Sequence, residues 1–292
     1  MSRWSRRASY IVHLLGALAV GCTPIPAVQK PLPGLLVLWT LDSIVTIDGK
    51  PPHAVRPIPL DDRFRNIISC SVAGDRLALV SLTDNSTAFS VSVIDFRTGK
   101  LLYETQAAAQ TVALHRQGEL IAFTRSVPNE PGSYDVCVWE PRKSIITTVA
   151  SGAARFETSL MWGPASTDLT FDDNQGWIQI INFQTRSMRK LVAGEQGRWS
   201  ADGRYFAYRR GRTLYIYDAS TQKHSPLLRR SFAAAEFAGQ VAWSPDTRYV
   251  AASLYAGLDG QERRHIVIDR VTGEAQELTR GSYFLGDWLP NE

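Results

Sequence analysis

The chain has 292 residues, of which 44% are apolar and 21% charged, the balance of a globular protein rather than a disordered or fibrous one. Its formal charge of +4 includes Arg3, Arg6 and Arg7 at the extreme N-terminus; without those three the charge is +1, so no general basicity argues for nucleic-acid binding. Three cysteines are too few for a disulfide framework, and neither C-x-x-C nor H-E-x-x-H is present.

In chain order, the three arginines precede Ala8 to Val20, a 13-residue mainly apolar run. It is too short to cross a bilayer comfortably and has the length of a secretory signal core. Leu18-Ala19-Val20-Gly21-Cys22 then resembles the lipobox of bacterial lipoproteins. That resemblance implies a signal peptide over 1–21 and a lipid on Cys22. Ala17-Leu18-Ala19 also fits cleavage without lipidation, so plain export stays open. Residues 22–34, rich in proline and with one charge, read as an extended tether. Thr23 is not the Asp that retains many lipoproteins in the inner membrane, which favours the outer membrane facing the periplasm.

From Leu35 onward an apolar stretch repeatedly enters a turn opened by Asp48, Asp95, Glu140, Asn182, Asp218 or Asp269. A short acceptor there can bond the N–H groups two residues on and fix a tight hairpin. A second marker, out of phase with the first, is a strand ending in a large side chain. It is clearest in WSADGRYFAYRR (Trp199 to Arg210) and WSPDTRYVAASL (Trp243 to Leu254), and weaker at Cys70, His115 and Trp162. The chain stops at one more copy, from Trp288. Both markers recur every 36–51 residues. That period fits four-stranded blades stacked around a ring.

Within each unit the order is strand a ending at the anchor, a turn, strand b, a loop, strand c, the Asp-opened turn, and strand d. Residues 35–40, 43–48 and 53–59 supply strands b, c and d with no strand a before them, and residues 283–291 supply a strand a with nothing after it. The expectation is therefore an all-β, six-bladed β-propeller over 35–292, closed by one blade built from both termini. An open five-bladed ring is the alternative.

The WSPDT and WSADG segments resemble the WSPDG-type repeats of TolB-like β-propellers, and the propellers of prolyl-oligopeptidase-type hydrolases. The resemblance covers about 250 residues and implies the fold. The α/β domain that precedes the TolB propeller has no counterpart of sufficient length here, and the G-x-S-x-G elbow of the hydrolases is missing.

No residue pattern identifies a cofactor or a catalytic centre. His53, His115, His224 and His265 fall at anchors, strands or turns and read as structural. Cys70 and Cys137 fall in strands and read as buried free thiols, with a periplasmic disulfide as the alternative. Asp172 and Asp173 read as solvated loop acids, part of a calcium loop at most. The better candidate is a rim where b-to-c and d-to-a loops gather: Asp172, Asp173, Arg209, Arg210, Arg212, Asp259, Glu262, Arg263 and Arg264. The expected function is a non-catalytic envelope scaffold that binds a protein partner through that rim. A channel-sited hydrolase or lyase on glycans or small metabolites, or a soluble-ligand receptor, is the alternative.

Overall fold

The computed structural model describes residue 27 and residues 30–82, 89–155, 158–227, 237–255 and 263–290. Cys22, Asp259 and Glu262 lie outside them. Among the described residues, twenty-four strands form six four-stranded antiparallel sheets. The first blade contains strands β4 (Arg65–Ala73), β5 (Arg76–Leu82), β6 (Phe89–Asp95) and β7 (Leu101–Gln106). The second contains β8 (Ala109–Leu114), β9 (Ile121–Ser126), β10 (Tyr134–Glu140) and β11 (Ile145–Ala154). The third contains β12 (Met161–Trp162), β13 (Asp168–Asp172), β14 (Trp177–Asn182) and β15 (Met188–Ala193). The fourth contains β16 (Glu195–Trp199), β17 (Tyr205–Arg210), β18 (Thr213–Asp218) and β19 (Lys223–Pro226). The fifth contains β20 (Phe237–Trp243), β21 (Tyr249–Tyr255), β22 (Arg263–Asp269) and β23 (Ala275–Gly281).

The sixth blade joins the termini: β24 (Phe284–Leu289) pairs with β1 (Leu35–Trp39), followed by β2 (Ile44–Asp48) and β3 (Val55–Pro57). Its seam aligns Leu38 with Leu285 and Leu36 with Trp288, and the Trp39 and Phe284 rings stack at 4.3 Å. The expected closed ring is thus formed. The packed domain also takes in residues assigned to the tether: Leu32 is buried, its N–H donates to Gly49 at 2.7 Å, and the Pro33 carbonyl accepts the Trp288 indole.

The core is divided into six apolar clusters, each shared by two neighbouring blades. Side chains alternate along a strand, so each middle strand feeds both of its interfaces. In β5, Leu77 and Leu79 pack against the composite blade while Ala78 and Val80 pack against the second. In β17, Phe206 and Tyr208 face the third blade while Tyr205 and Ala207 face the fifth. No blade could bury both faces alone, and at about 1.5–3 kcal/mol per enclosed large side chain the ring is where the burial energy resides.

The anchors have a second task. Trp162 Nε1 donates to the Ala113 carbonyl at 3.1 Å and Trp243 Nε1 to the Arg198 carbonyl at 2.9 Å, in each case on the inner strand of the preceding blade. His115 takes an anchor place by setting its ring edge-on to Trp162 at 4.8 Å. The free edges of the inner strands are capped similarly: Ser69 and Ser71 hydroxyls accept the Val112 and Leu114 N–H groups.

The two clearest repeats are wired alike. Ser200 and Ser244 hydroxyls bond Asp202 and Asp246 and accept the Tyr205 and Tyr249 N–H groups. Arg204 and Arg248 then reach Asp218 and Asp269 of the same blades. Those acids, with Asp48, Asp95 and Asn182, cap their own turns as expected: Asp95 Oδ1 accepts from Arg97 and Thr98 N–H, Asn182 Oδ1 from Gln184 and Thr185. Glu140 departs from this. Pro141 opens a 3₁₀ turn through Lys143, Ser144 takes a left-handed φ of 56°, and the Glu140 carboxylate pairs with Lys143 instead. The Cys70 copy departs too, because β4 runs on to Ala73 before a tight turn.

Candidate functional site

The a-to-b and c-to-d turns lie at one end of the ring, here the turn end, and the b-to-c and d-to-a connections at the other, the loop rim. Four charged side chains from three blades meet at the rim. Arg155 follows β11, Asp172 closes β13, Glu195 opens β16 and Arg209 lies in β17. Glu195 pairs with both Arg155 and Arg209, and Arg155 Nη2 lies 3.6 Å from Asp172. Asp172 Oδ2 also accepts the Gln196 N–H at 2.9 Å and the Ser159 N–H at 3.3 Å.

Asp172 is therefore not the solvated loop acid expected from sequence. It is 1% exposed, because β13 continues through it and the neighbouring blades' loops close over it. Burial pushes its carboxyl up to about 6, against the opposing pull of the Gln196 N–H and the Arg155 guanidinium. Its Oδ1 has no hydrogen-bond partner among the described residues.

Asp173 is buried as well and serves the β13–β14 turn. Its Oδ1 accepts the Gln175 and Trp177 N–H groups and its Oδ2 the Gln179 side-chain amide at 2.6 Å. The DDNQG segment is thus a turn capped by the Asp173 carboxylate. It borders a shallow groove of about 400 Å³ between the second and third blades, with Gly152 and Met188 on its walls.

Arg210 and Arg212 are exposed beside this network. Arg264 pairs with Glu277 at 2.6 Å, and Arg263 lies flat on Phe284, its guanidinium carbon 4.0 Å from the ring centre. The structure so joins Asp172 to Arg209 through Arg155 and Glu195, and sets Arg263 against Phe284 of the neighbouring composite blade and Arg264 against Glu277 of its own blade. Arg155 and Glu195 are the members that sequence reasoning missed. Glu195 does carry one signal, as a charged residue opening an inner strand directly after Gly194.

The channel side of the ring carries a second charged pair, Arg198 and Asp287 at 3.0 Å, each about one-fifth exposed. Cys70 is buried close by, and burial together with Asp287 holds its thiol well above the ordinary range. Cys137 is also free and buried. Among the histidines, His265 is fully buried with Nδ1 2.9 Å from the Ser253 hydroxyl, and burial beside Arg263 lowers it to about 4. His224 Nδ1 meets the Tyr208 hydroxyl at 2.9 Å, and His53 Nδ1 the Asp48 carbonyl at 3.0 Å.

No protein-family model and no curated protein sequence matches the chain. Among solved structures, TolB from Acinetobacter baumannii superposes with a TM-score of 0.68 at 14% identity, over 89% of this chain and 67% of that one. A chain described as TolB from Agrobacterium tumefaciens gives 0.59 at 13% identity, over 89% of this chain and 99% of that one. A chain of a nidogen/laminin complex gives 0.63 at 10% identity, over 87% and 96%. At such identities the likeness concerns fold alone, and on it the chain is a six-bladed β-propeller structurally similar to the TolB propeller.

Proposed function

We propose that this protein is an exported, lipid-anchored component of the bacterial cell envelope, attached through Cys22, that binds a protein partner at its loop rim as a scaffold or adaptor without catalysing a reaction. The observation that carries this reading is the Arg155–Asp172–Glu195–Arg209 network, which braces connections of three blades against one another. Loops held in this way lose little freedom on binding, so contact energy goes into affinity rather than ordering. The exposed Arg210 and Arg212 stand beside the brace, where a partner with acidic groups would meet them.

The test is crosslinking in the native host with mass spectrometry, comparing wild type with a charge swap at Arg210 and Arg212. Arg209 is left intact because it belongs to the brace. One reproducible envelope protein, lost on the swap, supports the adaptor; no reproducible partner overturns it. The anchor is tested separately: wild type should incorporate labelled fatty acid and Cys22→Ala should not, and equal labelling of the two, or of neither, would refute the anchoring.

A further inference from the structure

Among the described residues, six of the eight exposed large hydrophobics lie at the turn end: Val55, Leu102, Ile145, Ile146, Met188 and Val271, with Met188 51% and Val271 63% exposed. Five are within the first two residues of a strand d, and Val271 sits in the β22–β23 turn. They come from five different blades, at one level around the outer wall. Each has a cation within three residues: Arg56, Lys100, Lys143, Arg189 or Arg270. Of the acids of the same turns, Asp48, Asp95 and Asp269 each accept backbone N–H groups, and Glu140 pairs with Lys143, which stays largely exposed.

We propose that this collar seats the ring on a phospholipid membrane surface, with apolar side chains entering the headgroup boundary and the adjacent cations meeting lipid phosphates. The inference deepens the envelope reading and rests on it for the presence of a membrane. Single apolar residues spaced around a ring do not make the contiguous patch that a protein partner covers, whereas a flat bilayer reaches all of them at once. Cations neighbouring each apolar position match an anionic surface and keep their charge at the phosphates while their stems lie along the apolar layer.

The N-terminal segment points the same way. Ala27 bridges Glu277 of β23 in parallel, so at that point the chain runs as β23 does, from the turn end toward the rim. Leu32 and Gly34 are bonded to Gly49, also at the turn end. Five residue steps separate Ala27 from Cys22, a span of at most ~17 Å. A membrane-attached Cys22 therefore keeps the bilayer close to this side of the ring, and the loop rim is left facing away, free for a partner.

The test uses the full chain with Cys22→Ser, so that its result does not depend on lipidation, mixed with phosphatidylglycerol/phosphatidylethanolamine vesicles. An environment-sensitive thiol dye is placed in turn at Val271→Cys, Met188→Cys and, on the rim, Arg212→Cys, with spin-labelled acyl chains as quencher. The expected result is blue-shifted, quenched emission at the two collar sites and neither at the rim site. Ile145→Asp with Ile146→Asp, both on exposed positions, should then reduce quenching at Met188→Cys at least twofold while the far-UV spectrum stays unchanged. Collar sites that remain unquenched, or that are quenched no more than the rim site, overturn the proposal, as does failure of the chain to associate with the vesicles. Fatty-acid labelling of wild type against Cys22→Ala concerns the anchor alone, so the two ideas can fail independently.

Discussion

Arg198 Nη1 and Asp287 Oδ1 meet at 3.0 Å although their strands, β16 and β24, are separated around the ring by β20. Asp287 Oδ2 also accepts the Val72 N–H of β4 at 2.6 Å, and Arg198 Nε donates to the Val241 carbonyl of β20 at 3.3 Å. One ion pair so links four consecutive inner strands across the seam where the chain termini close the ring. In a propeller whose core is shared between blades, such a link acts where the fold is most easily opened.

Replacing both partners should therefore cost less than the sum of the two single replacements. Asp287→Ala leaves the Arg198 charge and the Val72 N–H without their acceptor, and a loss of roughly 2–4 kcal/mol is expected. Combined with Arg198→Met, the loss should fall short of the sum of the single effects by about 1 kcal/mol or more. Urea unfolding of the two single variants and the double variant measures the coupling; additive effects would show that the pair does not act as a brace.

Ring closure itself can be removed. Deleting residues 283–292 takes away β24, uncovers the β1 edge and strips Trp288 and Leu285 from the cluster shared with the fifth blade. The truncated chain should lose its cooperative thermal transition. A melting curve like that of the full chain would mean that five blades and a remnant hold together unaided.

What was legible in the sequence was local. Asp95, Asn182, Asp218 and Asp269 mark turns because each bonds N–H groups two or three residues on, a relation that a short segment carries within itself. The same holds for Ser200 with Asp202 and Ser244 with Asp246. The burial of Asp172 was hidden because its surroundings come from afar: Arg155 and Gln196 are 17 and 24 residues away, and DD before NQG reads as a loop when taken alone. Glu140 was misread for a local reason that could have been seen, since the Pro141 that follows it dictates a different turn. Arg198 and Asp287, 89 residues apart, left no mark in either segment.

Acid pH should act on two buried groups in opposite directions. Asp172 has its folded pKa raised to about 6, so its burial as a charged group costs stability at neutral pH, and that cost is relieved as pH falls from about 6 toward the unfolded value near 4. His265 is lowered to about 4, so its contribution is present above its unfolded value near 6.5 and is lost as pH falls toward 4. Asp172→Asn removes the relief, and the variant should lose more stability than wild type between pH 7 and 4, by about 2 kcal/mol. His265→Asn should show the reverse, a shallower loss. Chemical denaturation at the two pH values decides: equal slopes for wild type and Asp172→Asn would place the Asp172 carboxyl in the ordinary range.

The paired turns of the fourth and fifth blades offer a test of backbone strain in which removing a side chain from one turn and adding one to the other should have opposite signs. Gly203 and Thr247 occupy the same place after Asp202 and Asp246, with φ of 72° and 59°, and each donates its N–H to the serine that opens its turn at 2.9 Å. A β-branched residue in this left-handed conformation costs about 1–2 kcal/mol, part of which glycine offsets through its greater freedom in the unfolded chain. Thr247→Gly should therefore stabilise the fold by about 0.5–1 kcal/mol, raising Tm by about 1–2 °C. Gly203→Ala should do the opposite, and more strongly, because a Cβ there would lie 2.3 Å from Pro164 Cβ in addition to meeting the same backbone strain. A loss of about 2 kcal/mol or more is expected. Calorimetry of the two variants should show Tm moving up for one and down for the other; a fall with Thr247→Gly would mean that the threonine side chain contributes more to its turn than its backbone strain removes.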